Sequence, residues 1–173
     1  MGMSAPDPIA FINARLVTPD GISPGGLRAA QGCIVALGEV TPEAGDQVVD
    51  ARGALLVPGV IDFGVFAVDK PAFHFGGITR AALMPDQSPV LDLPSRVSYI
   101  AKSGKPDLWV HPLAAATRGL GGTELGELAL MKEAGARGVA TGRRWIADSG
   151  VMLRLLQYAA MLGLVVVTHA EDG

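Results

Sequence analysis

Residues 56–66 read LVPGVIDFGVF, and this stretch divides the chain into two kinds of pattern. Upstream of it, short apolar runs alternate with turn residues. IAFINARLV is followed by Pro19-Asp20-Gly21, Gly25-Gly26 precedes LRAA, Gln31-Gly32 precedes CIVALG, and Arg52-Gly53 separates QVVDA from ALLV. Frequent turn residues between short apolar runs mark an all-β region, here a small half-sandwich over residues 1–57. Downstream, over residues 58–173, apolar strands alternate with helical patterns, which calls for βαβ units around a parallel sheet. The strand candidates are GVIDFGV, ITRAALM, DLWVHPL, ARGVAT and LVVVTHA. The fold class is therefore α/β.

Three helices fit between the later strands. The first starts near Ser95 and stops at Gly104. The second takes Thr123 as N-cap, places Glu124 and Glu127 in its first turn, carries Leu125, Leu128 and Ala129 on one stripe, and ends at Gly135. The third takes Ser149 as N-cap, lines one face with Val151, Met152, Leu155, Leu156 and Ala159, and ends at Gly163. The connection over residues 67–76 contains Pro71 and leaves little room for a full first helix.

The 173 residues, 49% of them hydrophobic and 18% charged, have the composition of a globular chain long enough to bury a core. A net charge of −3 and the absence of any Lys/Arg run argue against nucleic acid or an anionic membrane as partners. MGMSAPDPIA has neither a basic nor an apolar signal region, and no run approaches the ~20 apolar residues of a membrane span. A single cysteine, Cys33, suits the reducing cytoplasm and is expected to be a small core residue.

Four segments, in order, carry a resemblance to a known family. LVPGVIDFGVF resembles the P-G-x-x-D strand that opens the barrel of the dihydroorotase and dihydropyrimidinase branch of the amidohydrolase superfamily. MPDQSPVLD, residues 84–92, resembles its M-P-N-T-x-P-x-x-D stretch. ATRGLGGTELGELALMKEAGA, residues 116–136, resembles its T-x-G-x-x-G-x-x-L segment, and residues 151–173 resemble the helix and strand that end in H-A-E-D. The resemblance implies the N-terminal part of a TIM (β/α)8 barrel, about five strands, preceded by the β half-sandwich. Such a barrel needs about 250 residues, so a chain ending at Gly173 is expected to be a fragment or a truncated gene product. An open edge after five parallel strands would favour association with a partner or with a further copy.

The same resemblance implies losses. The family's H-x-H metal pair falls on Gly64 and Phe66, neither of which has a lone pair for zinc. The substrate arginine that follows has no match in Ala67-Val68-Asp69, Asp86 replaces the substrate asparagine, and no carboxylate stands in Ala140-Thr141-Gly142-Arg143. Only His169 matches a metal ligand, as a vestige.

Other residues read more plainly. His74 sits in an aromatic loop, PAFHFGG, and His111 within a strand. Asp62 is expected to orient backbone near the barrel mouth, and nothing in the sequence brings Asp69 and Asp86 together as a carboxylate pair. Arg143, Arg144 and Trp145 form the remaining unusual cluster, and residues of these types anchor protein interfaces. Helices, caps and framework glycines persist while ligands vanish at separate sites. The expectation is a cytoplasmic, non-catalytic dihydroorotase-like scaffold, without cofactor, that partners aspartate carbamoyltransferase in pyrimidine biosynthesis. The competing expectation is an active zinc cyclic amidohydrolase whose site is completed by His74, His169 and residues beyond Gly173.

Overall fold

A computed structural model describes residues 7–105 and 108–169. Contacts divide the chain into two compact units, Met1–Pro58 and Gly59–Gly173.

The first unit is one mixed sheet. β1 (Ile9–Thr18) pairs antiparallel with β2 (Gly21–Ala30), which pairs antiparallel with β3 (Cys33–Gly38). β4 (Gln47–Asp50) and β5 (Leu55–Leu56) both run parallel to β1. Gln31 and Gly32 both have positive φ, 53° and 76°. Two left-handed residues twist a two-residue loop to match its strands, so this pair closes the β2–β3 hairpin. Cys33 is exposed, not a core residue. β3 is the edge strand of the order β3-β2-β1-β4, and its neighbours Ile34, Val35 and Leu37 are exposed with it.

The second unit is the half-barrel expected from the sequence. β6 (Val60–Val65), β7 (Ile78–Leu83), β8 (Trp109–Ala115), β9 (Gly138–Ala140) and β10 (Val165–Val167) are all parallel, in the spatial order β10-β9-β8-β7-β6. Asp107 at the start of the third expected strand pattern and Ala170 at the end of the last lie outside the described residues. Alternation along each strand sorts two faces. Ala81, Leu83, Val110, Ala114 and Val139 pack with the helices in the main core, while Ala82, Leu113, Ala140 and Val167 lie on the other face.

The helices follow the expected order with local differences. α1 (Lys70–Phe75) does form, as a short helix with Pro71 in its first turn, where a missing amide costs nothing. Asp69 caps it by accepting the Ala72 amide at 3.1 Å. α2 (Pro94–Lys102) ends one residue before Ser103. α3 (Leu128–Glu133) starts five residues after Thr123, because Leu125 instead bridges Thr117 and the Gly126 amide bonds Ala116 O at 3.0 Å. α4 (Ser149–Leu162) buries Val151, Leu155 and Ala159 and ends at Gly163 in the left-handed region. Its N-cap is Asp148, one residue earlier than expected, whose Oδ1 accepts the Val151 amide at 2.9 Å. Asp148→Ala should therefore cost about 1 kcal/mol in urea unfolding, and Ser149→Ala should stay within about 0.5 kcal/mol of the parent.

Candidate functional site

Sheets wrapped by crossover helices present ligands at the C-terminal ends of their strands. At that end of the second unit, Phe66, Met84, Gly142, Arg143, Thr168 and His169 line a cavity of about 530 Å³. Each residue lies just past a strand: Phe66 after β6, Met84 after β7, Gly142 and Arg143 after β9, and Thr168 and His169 after β10. Two of the residues singled out in the sequence, Arg143 and His169, thus meet with one of the substituted ligand positions, Phe66.

The loops are fixed by hydrogen bonds. The Gln87 side-chain amide donates to Phe66 O at 3.1 Å and to Met84 O at 3.0 Å. Asp86 Oδ1 accepts the Arg143 amide at 2.9 Å, while Asp86 Oδ2 is buried with no hydrogen-bond partner among the described residues. Gly142 between them has φ +68°, and a Cβ there would lie 2.5 Å from Asp86 Oδ2. With its amide held, Arg143 places its guanidinium carbon 4.0 Å from the centroid of the Phe66 ring. A guanidinium over an aromatic face gains cation–π attraction and keeps its in-plane donors available. The His169 amide donates to Thr141 Oγ1 at 3.0 Å, and Thr141 is buried.

The described residues do not fit the zinc that the family resemblance implies. Gly64 and Phe66 bring no ligand atom, and among the described residues no group of three or more His, Cys, Asp or Glu is placed to hold a metal. His169 is the imidazole that faces this cavity. Arg143 lines the same cavity, and its positive charge repels a further cation there.

The remaining residues are dispersed. Arg144 and Trp145 are exposed on the same loop as Arg143 but do not line the cavity. Asp62 accepts the Gly64 amide at 3.0 Å, orienting backbone as its position suggested. Asp69 caps α1 and Asp86 latches Arg143, so they form no pair. His74 is exposed on α1. Glu171 and Asp172 of the H-A-E-D motif lie outside the described residues. Sequence reasoning missed the Asp86–Arg143 latch and the Phe66–Arg143 stack, although Gly142 beside an arginine was a signal that the chain turns there. No helix among the described residues is long and apolar enough to cross a membrane.

His111 lies on β8, away from this cavity. Burial, reinforced by the charges of Arg80, Arg137 and Lys105, holds its imidazole below the ordinary value of 6.5. The unfolded chain then takes up this proton before the folded one does. The stability tied to His111 is present above pH 6.5 and is lost as pH falls through the lowered folded value. NMR titration should find this imidazole below 6.5 and, in Arg80→Met, nearer to it.

Gly142→Ala should be costly for two reasons. The left-handed backbone alone costs about 1–2 kcal/mol, and the clash with Asp86 adds about 1–3 kcal/mol. Gly77, also at φ +68° but with nothing within 4 Å of a built Cβ, is the control. In denaturant melts Gly77→Ala should show only the backbone cost.

No protein-family model matches the chain. Among curated proteins it is 41% identical over 155 residues to a dihydroorotase from Pelotomaculum thermopropionicum, covering 82% of this chain and 36% of that protein. It is 34% identical to a dihydroorotase from Desulforapulum autotrophicum over 95% of this chain and 43% of that one. The chain thus spans less than half the length of these relatives. Among solved structures, the L-hydantoinase (dihydropyrimidinase) of Arthrobacter aurescens superposes with a TM-score of 0.78 at 24% identity, over 95% of this chain and 41% of its own. A dihydroorotase crystal structure superposes with a TM-score of 0.64 at 12% identity, over 96% of this chain and 52% of its own. At those identities the structural likeness speaks for the fold.

Proposed function

This chain belongs to the dihydroorotase and dihydropyrimidinase branch of the amidohydrolase superfamily, and from that premise we propose that it serves pyrimidine biosynthesis as a dihydroorotase-like protein without catalysis of its own. Its role is that of a cytoplasmic scaffold that supports aspartate carbamoyltransferase. The observation that carries this reading is the Phe66–Arg143 stack. Where the family places the second histidine of its metal pair, this chain has a phenyl ring with a guanidinium on its face. The guanidinium held on the ring favours an anion over a dication at the mouth. Metal-activated water needs protein ligands to hold the ion that lowers its pKa, and Gly64 and Phe66 supply none.

The scaffold surface is assigned to the loop after β9. Trp145 is half exposed and Arg144 exposed, and aromatic and arginine side chains supply the central anchors of protein interfaces. His169, facing the cavity, contributes nothing to that contact.

The test is made on the full-length purified protein. Zinc should be far below stoichiometric, and dihydroorotate should not be hydrolysed. Restoring both histidines, Gly64→His with Phe66→His, should leave hydrolysis absent, because neither the substrate arginine nor the aspartate after β9 is restored. Arg144→Ala with Trp145→Ala should weaken co-purification with aspartate carbamoyltransferase roughly 30-fold, the effect of a hot-spot loss of about 2 kcal/mol. His169→Ala should leave it unchanged. Near-stoichiometric zinc with turnover, or loss of both zinc and assembly in His169→Ala, would instead establish the active zinc amidohydrolase.

A further inference from the structure

The crossovers of the parallel sheet are unequal. Residues 66–77 connect β6 to β7, a span of 12, whereas the later crossovers, 84–108, 116–137 and 141–164, have 25, 22 and 24 residues. The match to the Pelotomaculum dihydroorotase runs over 155 positions but takes in 82% of this chain's 173 residues, so about 13 positions of the shared span have no residue here. The shortfall of the first crossover is of that size. α1, six residues long, packs on β7, while α2 packs on α3 and α3 on α4. Beside α2 lies a cavity of about 410 Å³ with Gln87, Pro89, Leu91, Arg96, Tyr99 and Ile100 in its walls. The Gln87 side-chain amide donates to Phe66 O at 3.1 Å, which ties the cavity to the short crossover. A Cβ added at Gly135, just past α3, would lie 3.0 Å from Ala101 on α2, whereas Arg96 and Ile100 lie one turn apart on another side of that helix.

The short crossover and the wall formed by α2 both lie inside the chain, with strands on either side of each. Six residues make less than two helical turns, too few to run the length of the nine-residue α2. Leu91 is buried and Ile100 packs on the main core, so the floor of the cavity is apolar, while Tyr99 stands 74% exposed above it. The volume takes a few apolar side chains but not a whole helix, so a helical occupant lies across it with one face inserted. α2 carries Arg96 and Lys102 and no acidic residue, and Lys102 is exposed one turn from Tyr99. We propose that this seat takes an amphipathic helix of a partner protein, with its apolar side chains on Pro89, Leu91 and Ile100 and its acidic ones toward Arg96 and Lys102. Tyr99 is the anchor, an aromatic side chain at the centre of the contact. The partner thereby supplies a helix where the short crossover has none of full length. The contact is made on α2 and does not rest on the surface assigned to the loop after β9.

The probe is a fluorescein-labelled peptide of leucine, alanine and glutamate, about four helical turns long, with its leucines three and four residues apart. It is titrated with the full-length protein and read by fluorescence anisotropy. The peptide should bind saturably, a peptide of the same composition in scrambled order should not, and one with lysine for glutamate should bind more weakly. Tyr99→Ala should weaken binding about tenfold. Lys102→Glu should weaken the acidic peptide and strengthen the lysine one, a reversal that adhesion elsewhere would not produce. Both side chains are exposed, so neither variant disturbs the core. No saturable binding, binding undiminished in Tyr99→Ala, or an acidic peptide indifferent to Lys102→Glu would each overturn the proposal. So would self-association in sedimentation that Tyr99→Ala abolishes, which makes the occupant a second copy of this chain. None of these readouts depends on turnover, zinc or the transferase, so this seat and the scaffold reading stand or fall separately.

Discussion

Asp86 accepts the Arg143 amide across 57 residues of sequence, and that one bond ties the loop leaving β7 to the loop leaving β9. It requires Gly142, because the left-handed turn and the absence of a Cβ let the amide reach the carboxylate. Once the amide is fixed, the Arg143 side chain settles on Phe66, which brings in the loop leaving β6. Three of the five strand exits are thus set by one carboxylate. The arrangement has a cost, since a buried acceptor without a partner, here Asp86 Oδ2, loses about 1–3 kcal/mol of hydration. It stands because the charge-assisted bond on the other oxygen is stronger than a neutral one.

What the sequence disclosed depended on how local each signal was. Strand after strand of the second unit was legible because apolar runs bounded by turn residues need no distant information. α4 was legible for the same reason, down to its left-handed glycine, although its cap moved by one residue to a better acceptor and Leu156, expected on the apolar face, is exposed. The start of α3 was misread because Leu125 has helical spacing but is used as a loop anchor opposite Thr117, a tertiary preference that no window of residues contains. Cys33 was misread because its burial depends on whether β3 has a neighbour in the sheet, not on the cysteine.

The site was legible in a different sense. Glycine and phenylalanine at positions 64 and 66 are side chains that coordinate no metal wherever they lie. The stack of Arg143 on Phe66 was not legible, because the two residues meet only when parallel strands bring their exits together.

The same topology explains why a chain of net charge −3 carries concentrated positive charge. No stretch of the sequence is basic, and overall charge speaks only to long-range and polyelectrolyte binding. A parallel sheet, however, collects one residue from each successive βα unit at each of its ends. Arg80 and Lys105 come from separate segments and meet over the Trp109 ring at the start of β8. At both ends the cations rest on aromatic faces, Phe66 at one and Trp109 at the other. An aromatic face orders a long basic side chain without consuming its donors or its charge. That is a different device from a salt bridge, which orders the side chain by neutralising it. Around the described sheet ends, the chain has chosen the device that leaves its positive charge available.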